Sequence, residues 1–181
     1  AARGISSQMS HVIKAFSNNI ITALNPQIIK SYAQGDFNYS LTLVSAGTRY
    51  SSYLLIFISL PILFETPEIL SLWLGVVPEH TVQFVRLIIV YTLVENLSLT
   101  LTTLIYATGS IRRYQILTGI IQLLNLPLSY ILLGQGMMPE IVFVLSIIIS
   151  IICYFVRITL ISRDGLLQIK DFFKVLINVG V

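Results

Sequence analysis

The sequence predicts an all-α, polytopic transmembrane helix bundle, and three observations predict it. The 181 residues are 55% hydrophobic and only 10% charged, with a mean hydropathy of +0.86. A water-facing surface draws on about 25% charged residues, so this chain could not coat one. Its apolar residues also gather in stretches long enough to cross about 30 Å of hydrocarbon as helices. Finally, the strand-length alternation a membrane barrel needs is absent. About five spans are expected, plus the start of a sixth, within a single transmembrane region covering 1–181.

The first span is 3–31, with Ile5, Met9, Val12, Ile13, Phe16, Ile20 and Leu24 among its apolar positions. The second is 41–64, with Pro61 near its end. The connector ETPEILSLWLGVVPEH predicts a short interfacial helix carrying Trp73 at headgroup depth. The third span is 81–108, followed by the basic turn ATGSIRRYQ. The fourth, 116–133, is broken by Pro127, and LGQGMMPE turns into the fifth, 141–161. SRDGLLQIKDFFK then reads as amphipathic, leading into the sixth span. Pro26, Pro61 and Pro127 are each expected to interrupt a span, because proline frees a carbonyl and bends the helix.

Loop charges set the orientation. Lys30, Arg49, Arg112, Arg113, Arg157, Arg163, Lys170 and Lys174 are assigned to one side. The opposite loops hold Glu65, Glu68, Glu79 and Glu140 and no Lys or Arg. By the positive-inside rule, 30–50, 109–114 and 162–175 face the cytoplasm; Arg3, at the other end of the first span, is the exception. The net charge of +3 is scattered between apolar spans and points to topology rather than to nucleic acid. A lone Cys153 excludes an internal disulfide and reads as an inert packing residue. His11 and His80 have no metal-ligand spacing with Cys153 or with each other. No glycine-rich phosphate loop occurs, and the loops are too short to hold an active site, so neither enzyme chemistry nor a cofactor is expected.

The first span carries an unusual polar stripe. His11, Lys14, Asn18, Thr22 and Asn25 recur at three- and four-residue spacing on one helix face, joined by Ser7 with Gln8 at the edge. Lys14 lies deep in the span, where an isolated cation costs about 2.5–3.5 kcal/mol on insertion scales. It can snorkel, pair structurally, or line a hydrated path and meet an anion. The third span carries Thr92, Asn96, Thr100 and Thr103, with Arg86 and Glu95 nearby. Glu95 reads either as the partner of Arg86 or Lys14, or as a protonatable coupling site. The fourth span has Thr118, Gln122, Asn125 and Ser129. The Ser146, Ser150, Cys153 and Arg157 series of the fifth suggests interhelical packing.

The opening AARGISSQMSHVIKAFSNNIITALNPQIIKSYAQGD resembles the eighth-helix region of bacterial polysaccharide and O-antigen flippases of the MATE-like exporter superfamily. The resemblance continues through EILSLWLG and ATGSIRRYQ and covers most of the chain. It implies two six-helix lobes around a central cavity, with this chain a piece of the C-terminal lobe: helices eight to twelve and the start of thirteen. It further implies transport of undecaprenyl-diphosphate-linked oligosaccharide across a bacterial inner membrane by alternating access, for surface polysaccharide (lipopolysaccharide O-antigen) biosynthesis. Partners are then the lipid-linked oligosaccharide, the bilayer and the remaining helices. Lys14 and Arg86 would meet the diphosphate, while His11, Asn18, Thr22, Asn25, Gln122 and Asn125 would meet sugar, with Glu95 the ion-coupling group. A MATE-type cation or drug exporter is the alternative, with a polyprenyl-sugar membrane enzyme behind it.

Overall fold

A computed structural model describes residues 2–163 and is helical throughout its ordered elements. Eight helices follow in order: α1 (Ala2–Ala33), α2 (Phe37–Phe64), α3 (Thr66–Leu74), α4 (Thr81–Asn96), α5 (Leu99–Ala107), α6 (Ile111–Leu123), α7 (Asn125–Gly134) and α8 (Ile141–Arg163). Taken as rods, α4 with α5 and α6 with α7 each run as one broken span. Four rods are long and apolar enough to cross a membrane: Phe37–Phe64, Thr81–Ala107, Ile111–Gly134 and Ile141–Ser162. The chain is a membrane protein by that measure. The 32-residue α1 is not among the four. It has the length to cross, about 48 Å at 1.5 Å per residue, but its polar stripe lowers its apolarity.

The second span begins earlier than the sequence suggests. Helix α1 continues to Ala33 and α2 starts at Phe37. Residues 34–36 make the whole turn: Gly35 takes φ +79°, and Asp36 caps α2 by accepting from the Tyr39 N–H at 3.0 Å. Residues 37–50, expected as loop, are therefore helix, and Arg49 lies about 18 Å into α2 rather than in a connector. Its guanidinium sits 5.5 Å from the Tyr50 ring centroid.

The prolines divide. Pro127 does mark a break: α6 stops at Leu123, and α7 restarts in the turn that contains it. Pro26 and Pro61 lie inside continuous helices, contrary to expectation. The break in the third span has no proline at all. It falls at 97–98, where the Ser98 N–H bonds the Glu95 carbonyl three residues back, at 2.9 Å, and tightens the chain out of α geometry.

Helix α1 packs chiefly along α2 and against α4 and α5, while α8 packs against α4, α7 and α6. One apolar cluster centres on Ile13, Leu55, Leu70, Val85 and Ile89. The other, toward the opposite end, gathers Ile28, Val44, Leu101, Leu104, Ile105, Tyr114, Ile158 and Ile161. Helix α3 is short, as expected, with Leu70 fully buried in the first cluster and Trp73 half exposed. Gly47 lies where α1, α2 and α5 meet: a Cβ there would stand 2.8 Å from Leu24 Cδ1 and 3.1 Å from Thr100 Cγ2, so those side chains would have to shift. The amphipathic segment, the sixth span and the 162–175 loop, with Asp164, Lys170, Asp171 and Lys174, lie almost wholly outside the described residues.

Candidate functional site: a polar groove

In lipid, apolar faces gain little by leaving hydrocarbon, so helices are held by small residues and polar bonds. The buried seam of α1 shows this composition: Ser6, Ser10, Ser17 and Ser31 alternate with Ile13, Ile21 and Ile28. Ser10 bonds Thr92 at 2.9 Å. The polar stripe does not coincide with the seam. It lies about a quarter-turn around the helix, leaving His11, Asn18 and Thr22 exposed and Lys14 and Asn25 half-buried. Val12 and Phe16, on the other flank, are exposed apolar positions.

Two hollows flank α4, and the stripe borders the second of them. The first, of about 300 Å³, is lined by Tyr91 and Glu95 from α4, Gln122 from α6, Asn125 from α7, and Ser146, Ile149, Ser150, Cys153 and Arg157 from α8. The second, of about 230 Å³, lies between α1 and α4 and includes Lys14, Ser17, Asn18, Thr92, Glu95 and Asn96. Glu95 lines both, one turn before the break in its span. Its Oε2 accepts from Lys14 Nζ at 2.5 Å, and the ammonium lies 5.3 Å from the Tyr91 ring centroid. About a third of each side chain remains accessible (29% and 33%), so the pair faces the groove rather than a sealed core.

Other expected residues sort by contact. Asn25 Oδ1 accepts from the Thr103 hydroxyl at 2.7 Å, joining α1 to α5. Asn125 donates to Ser146 Oγ at 2.9 Å and accepts from Ser129 at 3.0 Å, joining α7 to α8. Gln122 is exposed on the first hollow. His11 and Thr22 line neither hollow, and neither does Arg86, which is exposed on α4. Arg86 and Glu95 are nine residues apart, hence on opposite helix faces. The structure thus brings Lys14 and Asn18 to one hollow and Gln122 and Asn125 to the other, with Glu95 on both, and leaves Arg86 off both.

Arg157 stands in two expectations, as a loop charge and in the packing series of the fifth span, and the structure bears out the second. It lies inside α8, is 8% exposed, and lines the first hollow. Its Nε and Nη2 donate to the Tyr114 hydroxyl at 3.2 and 3.0 Å. The available signal was an arginine within IICYFVRITLIS, since an ionisable side chain inside a span marks function by default. Asn96 is similar. It is 2% exposed and donates to Ser51 and Ser52 on α2 at 3.1 and 3.2 Å. Its Oδ1 has no partner.

At the far end from Arg112 and Arg113, His80 Nδ1 donates to Glu140 Oε1 at 2.5 Å. The pair clasps the start of α4 to the start of α8. A hydrogen bond from its own backbone N–H, then His80, hold the Glu140 carboxyl below the usual carboxylate range against opposing desolvation.

Among the described residues no three His, Cys, Asp or Glu side chains gather as a metal site. Compared with known proteins, the chain matches no protein-family model, no curated protein and no solved structure. Fold and groove together define a class: a membrane-spanning helical bundle with a polar, charge-bearing cleft along one side.

Proposed function

We propose that this chain forms one wall of a transport path for undecaprenyl-diphosphate-linked oligosaccharide, flipped between leaflets of a bacterial inner membrane by alternating access. The observation that carries the reading is the groove itself. An ion pair, a further buried cation, amides and hydroxyls face two hollows in a bundle whose outer surface is rich in exposed apolar side chains. Polar groups at membrane depth are costly and mark a substrate or ion path. Sugars need amides and hydroxyls, and a diphosphate needs cations. The opening motif quoted above supports the same family reading. A cation exporter would need a carboxylate open to its cargo, whereas Glu95 is already bonded to Lys14.

In this reading the path is one of transport, not catalysis. The basic end faces the cytoplasm: Lys30, Arg112 and Arg113 lie at one end of the bundle, Glu65, Glu68, Glu79 and Glu140 at the other. Cells lacking the protein should accumulate lipid-linked oligosaccharide on the cytoplasmic leaflet and lose surface polysaccharide. Restoring the wild-type gene should reverse both. Unchanged polysaccharide and no accumulated intermediate in the deletion strain would sink the reading.

A further inference from the structure

A buried arginine with only a neutral partner is unusual in a span. Removing a guanidinium from water costs several kcal/mol unless charge or hydrogen bonds offset it. Among the described residues Arg157 forms no ion pair. Its hydrogen bonds both go to one oxygen, the Tyr114 hydroxyl. A guanidinium has five N–H donors; two are used on Tyr114, which leaves three. The side chain lines the first hollow, so those donors have a cavity before them.

Tyr114 is itself held. Its ring centroid lies 5.4 Å from the guanidinium Cζ. Its oxygen lies 3.4 Å from Thr102 Oγ1 on α5. The Thr102 hydroxyl donates to the Ser98 carbonyl, so it can accept from Tyr114 while Tyr114 accepts from Arg157. The chain of contacts runs across α8, α6 and α5 and ends at the break in the third span. It fixes the direction of the guanidinium without neutralising it.

Charge decides what the hollow takes. Glu95 also lines it, but Lys14 balances Glu95, so Arg157 leaves a net positive charge. Gln122 and Ser150 add donors around the same space. We propose that Arg157, positioned by Tyr114, makes the hollow between α4, α6 and α8 a site for a phosphate-class anion. A lipid-linked diphosphate headgroup is one source, and free phosphate or pyrophosphate the other. In naming the lipid headgroup the inference rests on the transport reading above; the anion site itself does not. It also assigns the anion to Arg157 rather than to Arg86, which lies off the groove.

The test is thermal unfolding of the protein in phosphatidylcholine nanodiscs, at constant ionic strength. One arm titrates inorganic pyrophosphate; the other compares discs carrying undecaprenyl diphosphate with discs carrying undecaprenol. Arg157→Gln should weaken binding by about ten- to a hundredfold, the loss of charged hydrogen bonds. Arg157→Lys should retain part, since it keeps charge and loses the fork. Tyr114→Phe should keep the charge and still weaken binding, whereas a merely structural Tyr114 would lower the melting temperature and leave the affinity unchanged. A shift with pyrophosphate means that a free anion suffices; a shift with undecaprenyl diphosphate alone means that the lipid headgroup is the source. No shift in either arm overturns the proposal. If Arg157→Gln does not fold, wild-type affinity in both Arg157→Lys and Tyr114→Phe overturns it equally. Anion binding with no loss of polysaccharide on deletion would sink the transport reading alone. Polysaccharide export without anion binding would sink this inference alone.

Discussion

The rods α4/α5 and α6/α7 are both long, apolar and broken near the middle, yet they sit in the bundle differently. Half of the apolar window of the first is buried (50%), against 11% of the second. Hydrophobicity does not separate them; polar stitching does. The first rod is bonded to its neighbours through Ser10–Thr92, Lys14–Glu95, Asn96 to Ser51 and Ser52, Thr48–Thr100 and Asn25–Thr103. The second has the Asn125–Ser146 and Tyr114–Arg157 bonds to α8 and the weaker Tyr114–Thr102 and Gln115–Tyr106 contacts to α5. In a bilayer an apolar face is as well solvated by lipid as by another helix. Inward polar groups therefore decide which rod is buried.

The largest expected effect comes from cutting one of those stitches at its charge. Lys14→Met leaves the Glu95 carboxyl in the groove without its partner. Breaking a fully buried pair costs about 3–5 kcal/mol; with a third of each side chain accessible, a loss of about 2–3 kcal/mol is expected. Adding Glu95→Gln removes the stranded carboxyl and should recover most of it. Thermal unfolding of the two variants in nanodiscs measures both. If the double variant is no more stable than Lys14→Met, the pair is not what holds α1 to α4.

A smaller effect tests the clasp by which α8 reaches the well-packed rod. The folded state holds the Glu140 carboxyl below its usual range, so the fold favours the carboxylate. Its contribution is present above the usual carboxylate range and is lost as pH falls through the lowered folded value. His80 is 43% exposed, so the pair contributes only about 0.5–1 kcal/mol. At neutral pH, Glu140→Gln should melt slightly below wild type, and the gap should close in acid. A gap of constant size across the acid limb would show that the charge of Glu140 is not what joins α4 to α8.

Much of the architecture was legible because membrane helices leave a strong signal of length and apolarity. The α3 connector, the break at Pro127 and the starts of α4 and α8 could all be read from turn residues and hydropathy. The break at 97–98 could not, since nothing in ENLSLT departs from helical composition; the tertiary bonds of Glu95 and Asn96 accompany it. Arg49 reads as a loop charge, and Arg157 reads both as one and as a packing residue of the fifth span, because a charge beside an apolar run resembles a flank. Only packing shows that one lies well within α2 and the other against Tyr114. The polar stripe of α1 was visible as a periodicity, but periodicity does not say which side of the stripe is covered. That its members divide between the groove and open surface depends on α4.

The smallest expected effect lies on the poorly buried rod. Ile120, Leu123 and Leu126 are 56%, 65% and 72% exposed, and no bond from these side chains ties them to a neighbour. Ile120→Ala removes methyl groups that touch little protein, so no cavity forms and no polar group is stranded. The two contributions that make core truncations severe, lost burial and residual void, are both small here. A change within about 0.5 kcal/mol is expected, as for exposed positions generally. The matched substitution on the packed rod, Ile89→Ala, removes a fully buried side chain from the Ile13–Leu55–Leu70–Val85 cluster and should cost about 1–2 kcal/mol, since in a bilayer chiefly the void left behind is penalised. The difference between the two melting shifts is a direct reading of the contrast in burial. Equal shifts would mean that another protein surface covers Ile120 in the membrane, and that the outer face of α6 is an interface rather than a lipid contact.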